Sequence, residues 1–77
     1  MIIMRVKIVY IISIRGVNIG VYSNLLKGYR AACTFVKLDT VNIATYYTVR
    51  RHILKTNMYH MQMDGVNYLS IEKVQVQ

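Results

Sequence analysis

The chain has 77 residues, 55% of them hydrophobic, and carries ten Lys and Arg against three acids for a net charge of +7. That length admits one small basic domain over residues 1–77, and the hydrophobic share excludes a disordered chain. One cysteine excludes an internal disulfide and a cysteine-built zinc site, and three acids are too few for a two-metal nuclease.

Residues 4–14 alternate with period two. Met4, Val6, Ile8, Tyr10, Ile12 and Ile14 fall on one face, and Arg5, Lys7, Val9, Ile11 and Ser13 on the other, the pattern of a strand with one apolar side. Arg15-Gly16 offers a turn, and Val17, Ile19 and Val21 alternate with Asn18 and Gly20 in a return strand, so residues 4–22 read as a β-hairpin. The uncharged apolar run Ile8–Ile14 is far short of the roughly 20 residues a membrane helix needs. No small-residue cleavage site follows it. No membrane partner is expected, and the reducing cytoplasm fits the single thiol.

The spacing turns helical after Ser23, whose hydroxyl is the expected N-cap. Leu25, Tyr29, Ala32 and Val36 share a face with Leu26 and Cys33 beside it, and Lys27, Arg30 and Lys37 point elsewhere. Cys33, among Ala31, Ala32 and Phe35, reads as a small buried hydrophobe. Gly28 either lets a neighbour approach closely or marks a later helix start. Lys37-Leu38-Asp39-Thr40 is the break, with Asp39 and Thr40 the expected caps of a second helix from about Val41 to Lys55. Its apolar stripe is read as Ile43, Tyr46 or Tyr47, the stem of Arg50, Ile53 and Leu54, with Val49 beside it. Thr45, Thr48, Arg51, His52 and Lys55 remain outside.

Period two returns after Thr56-Asn57, with Tyr59, Met61 and Met63 alternating with Met58, His60 and Gln62. Asp64-Gly65 is a strong hairpin signal. The alternation slips along Val66–Val76, which predicts a bulge near Glu72-Lys73. The expected fold class is α+β: a β-hairpin, a two-helix helix-turn-helix-like unit, and a C-terminal β-hairpin wing.

The run Tyr22-Ser23-Asn24-Leu25, then Ile43-Ala44-Thr45-Tyr46-Tyr47-Thr48-Val49-Arg50-Arg51-His52-Ile53, then Asp64-Gly65-Val66-Asn67-Tyr68, resembles small helix-turn-helix proteins encoded by phages. It is also similar to the modular DNA-binding repeats that accompany homing endonucleases. The resemblance implies non-catalytic binding of duplex DNA, with roles for Thr45, Thr48, Arg50 and Arg51.

The residues themselves carry a candidate nucleic-acid surface. Arg50, Arg51 and Lys55 suit phosphate or guanine edges, and Tyr47, Thr48, Thr45 and His52 suit sugar, base or phosphate. Lys27, Arg30 and Lys37 are expected to contact backbone from the first helix. The bland alternative is a solvated face that keeps a hydrophobic chain soluble. Of Tyr46 and Tyr47, one is expected in the core. Asp39 and Asp64 are accounted for by a cap and a turn, leaving no carboxylate pair for hydrolysis. No metal, cofactor or catalytic residue is expected.

Two function classes follow. The first is a phage or mobile-element DNA-binding protein, a candidate transcription regulator in the host cytoplasm. The second is a virion component or an inhibitor with a phage or host protein partner, its Met58, Met61 and Met63 forming a soft contact surface. A homodimer fits either, since a core this small gains from more burial.

Overall fold

A computed structural model describes residues 7–38 and 43–76 of the chain. The chain order is β1 (Lys7–Ile14), β2 (Val17–Tyr22), α1 (Leu25–Leu38), α2 (Tyr46–Thr56), β3 (Met58–Met63) and β4 (Val66–Val76). The fold is α+β: one antiparallel sheet of order β2-β1-β4-β3 with two helices.

Two tight turns make the hairpins. Arg15 and Gly16 hold φ of 52° and 80°, and Asp64 and Gly65 hold 54° and 79°. Positive φ at both central residues is the type I′ pattern, whose twist matches that of the strands it joins. The central pair, β1 with β4, is in register from Lys7↔Val76 to Ile14↔Leu69. The C-terminal hairpin is therefore half of the sheet rather than a separate wing, because β4 spends one whole edge on β1.

Register also explains the slipped alternation in β4. Its pairing with β3 jumps between Met61↔Leu69 and Gln62↔Asn67, which leaves Tyr68 as the extra residue. The bulge lies there, not near Glu72-Lys73, which pair regularly with Ile11 and Tyr10. A bulge turns two successive side chains the same way, and Tyr68 and Leu69 are both buried. A matching jump between Ile12↔Gly20 and Ser13↔Asn18 leaves Ile19 extra in β2.

Both helices cover one face of the sheet, α1 over β1 and β2, α2 over β3 and β4. The core between the layers is Ile12, Ala32, Val36, Val49, Ile53, Tyr59, Tyr68, Leu69 and Ile71. Met61 and Met63 pack against it as half-buried filler. Cys33 is a free thiol, half-buried rather than buried.

Asn24, not Ser23, caps α1. Its side-chain oxygen accepts from the amides of Leu26 at 2.8 Å and Lys27 at 3.3 Å, satisfying donors that a helix start leaves open. Gly28 lies inside α1 and is buried. A Cβ there would stand 3.2 Å from Cδ1 of Ile12 and 3.6 Å from the Tyr22 ring. The missing side chain lets α1 sit down on the hairpin.

Helix α2 begins later than the spacing suggested. Residues 43–45 are irregular, and Thr45 is the N-cap, its side chain accepting from the Thr48 amide. The expected caps Asp39 and Thr40, the residues Val41 and Asn42, and the expected strand residues 4–6 lie outside the described residues. The segment before α2 is tied to α1 by the Tyr29 hydroxyl, which donates to the Ala44 carbonyl at 2.7 Å. The Tyr29 and Tyr46 rings meet edge to face, 5.5 Å apart. Asn57 ends α2 in the left-handed region at φ 62°, its amide donating to the Ile53 carbonyl.

Candidate nucleic-acid interface

Successive helical residues turn by about 100°, so the buried positions of each helix say where its other side chains point. In α1, Ala32 and Val36 are buried. Lys27, Arg30, Thr34 and Lys37 fall on the opposite side and are exposed. The three cations form one stripe spanning about 15 Å at a rise of about 1.5 Å per residue.

In α2, Val49 and Ile53 face the sheet, and Tyr46 is half-buried beside them. Tyr47, 75% exposed, Arg51 and Lys55 make the outward stripe, with Thr48 on its border. Leu54, expected in the apolar stripe, is instead 63% exposed. Arg50 is exposed too, so its stem is no part of the core. The narrow inward face of α2 has room for only Tyr46, Val49 and Ile53.

The candidate residues therefore separate. Tyr47, Thr48, Arg51 and Lys55 share the outer face of α2, and Lys27, Arg30 and Lys37 that of α1. Thr45 is engaged in the cap, its hydroxyl 3.0 Å from that of Thr48. His52 leans to one flank, its ring 5.7 Å from that of Tyr59 in an edge-to-face contact. Arg50 turns to the other flank, toward α1.

That flank is a cleft of about 350 Å³ lined by Tyr10, Ser23, Asn24, Leu25, Tyr46, Arg50, Ile53, Leu54 and Lys73. The register explains it. Tyr22, opposite Tyr10, leads into α1, and Met58, opposite Glu72, follows α2. The start of α1 and the end of α2 thus share one end of the sheet. Tyr10 and Lys73 are paired neighbours on the two central strands and floor the gap between the helices. Sequence reasoning missed Lys73. A bulge near Glu72-Lys73, as the alternation suggests, would turn Lys73 away from the helices. With the bulge at Tyr68 instead, Lys73 follows Leu69 and Ile71 onto the helix-facing side.

The charge is one-sided. Lys27, Arg30, Lys37, Arg50, Arg51 and Lys55 all belong to the helical layer, and no described residue of that layer is acidic. Asp64 sits in a turn, and Glu72 pairs with Ile11 on the sheet face away from the helices. That other face carries no helix among the described residues, and its apolar strip is Val9, Ile11, Val21 and Val74.

Burial is the main cause that pushes the Tyr29 hydroxyl up to about 12, and burial raises Tyr59 as well. Among the described residues, no three His, Cys, Asp or Glu side chains come together as a metal-ligand set, and no helix is long and apolar enough to cross a membrane. Neither a protein-family model, a curated protein nor a solved structure matches the chain.

Proposed function

We propose that this chain is a non-catalytic DNA-binding protein whose helical layer lies against a duplex. The observation that supports this most is the segregation of six cations, with no described acid among them, onto one layer of the molecule. Such a surface neutralises phosphates and releases counterions, a sequence-independent source of affinity. The outer stripe of α2 adds groups that suit a groove. Arg51 has the planar fork for a guanine edge, Thr48 a hydroxyl, and the exposed Tyr47 ring a stacking or hydrogen-bonding surface. The α1 stripe of Lys27, Arg30 and Lys37 serves as the backbone contact that fixes orientation. A small phage- or mobile-element-type regulator acting in the host cytoplasm is the setting this reading fits.

A salt titration tests it. Binding to a mixed-sequence duplex is measured by fluorescence anisotropy from about 50 to 200 mM salt, where log K is expected to fall by about 0.9 per phosphate neutralised for each tenfold rise in salt. Arg51→Ala with Lys55→Ala should weaken binding and flatten the slope by roughly two. Lys7→Ala, on the other face of the sheet, should change neither. No binding at about 50 mM salt, where phosphate contacts are strongest, sinks the proposal.

The second reading rests on the open sheet face. Val9, Ile11, Val21 and Val74 form an apolar strip that would suit a protein partner, as in a virion component or an inhibitor. DNA binding that is absent, together with retained capture of a purified phage or host protein, would favour it.

A further inference from the structure

We propose that the cleft between α1 and α2 is a phosphate-monoester site, with Arg50 and Lys73 as its two cations. The two come from different elements. Arg50 is on the flank of α2 and Lys73 on a central strand, yet both line one concavity of about 350 Å³. No carboxylate lines it. Glu72, next to Lys73 in sequence, is on the opposite face of the sheet because successive strand residues alternate.

Lys73 is the informative residue. It occupies a helix-facing position on a central strand, in line with buried Leu69 and Ile71, and it is half-buried. A cation set there gives up some of its hydration, which an anion in the cleft would offset. Two cations match the two charges of a phosphate monoester better than the single charge of a backbone phosphodiester. The hydroxyls of Tyr10, Tyr46 and Ser23 add neutral donors around the same space. The start of α1 contributes little, since Asn24 already accepts from the Leu26 and Lys27 amides. The site stands on the cleft and its cations.

The ligand is a terminal phosphate, carried either by a nucleic-acid end or by a free mononucleotide. The inference goes beyond DNA binding by the outer stripes, since Arg50 and Lys73 line the cleft and the stripe residues do not.

The test is a titration of the 15N-labelled full chain with inorganic phosphate at constant ionic strength, followed by amide shifts. Saturable shifts at Ser23, Leu25 and Lys73 are expected. Arg50→Gln and Lys73→Gln should each weaken binding about tenfold, the scale of one charge-assisted hydrogen bond. Lys7→Gln should leave it unchanged. If Lys73→Gln loses its dispersed spectrum, Arg50→Gln, an exposed helix residue, carries the test. Shifts scattered over all cations without saturation, or undiminished binding in Arg50→Gln, would overturn the site. Two further probes separate the sources. Preference for a 5′-phosphorylated over a 5′-hydroxyl oligonucleotide assigns a nucleic-acid end. Equal binding of mononucleotide and 5′-phosphorylated oligonucleotide assigns the free ligand. Arg51→Ala with Lys55→Ala should leave the phosphate shifts intact, so this site and the outer surface fail separately.

Discussion

The two halves of the chain run in mirror order, hairpin then helix and helix then hairpin, but they contribute unequally to the core. Of the nine buried hydrophobic residues among those described, the N-terminal half supplies Ile12, Ala32 and Val36. The C-terminal half supplies the other six, Val49, Ile53, Tyr59, Tyr68, Leu69 and Ile71. The N-terminal helix seats itself with small residues, Gly28 and Ala32, which let backbone come close to the sheet. The C-terminal helix uses Val49 and Ile53 over large sheet residues. Close seating and bulky filling are two ways to reach interior density, and they respond differently to substitution.

Truncation should hurt most in the bulky half. Leu69→Ala, at a fully buried position on a central strand, is expected to cost about 2–5 kcal/mol. At roughly 0.05–0.15 kcal/mol per residue a domain of this size holds only about 4–12 kcal/mol in total. A urea midpoint that barely moves would show that the C-terminal half is not the anchor. Enlargement should hurt most in the closely seated half. Gly28→Leu would drive a side chain into Ile12 and Tyr22, at about 1–3 kcal/mol for overpacking. Unchanged thermal stability would mean that α1 does not rest on the hairpin as described.

The smallest effect concerns the tyrosines that join the halves. Tyr29 rises from its ordinary 10.0 to about 12, mainly through burial. The folded state then holds the phenolic proton more tightly than the unfolded one. Its contribution is complete below pH 10 and is lost as pH climbs toward 12. Tyr59 is raised too and adds with the same sign. Stability measured across that range should fall, and Tyr29→Phe should make the fall shallower. An equal slope in the variant would remove Tyr29 from the link between α1 and the segment before α2.

Within the described residues, the strand and helix order, both I′ turns and the inward faces of β1 and α1 follow from the residues themselves. Those signals are local: period two, helical spacing, and glycine where φ must be positive. Three features needed the assembled molecule. The bulge at Tyr68 depends on which strand β4 faces. The late start of α2 comes with a tie across the fold, Tyr29 donating to the Ala44 carbonyl just before the Thr45 cap. The meeting of Arg50 and Lys73 in one cleft depends on the start of α1 and the end of α2 sharing one end of the sheet. Sequence composition determines that this protein is cationic. Only long-range pairing, which no neighbour along the chain encodes, decides that six of those charges share a layer and that Arg50 and Lys73 line one cleft.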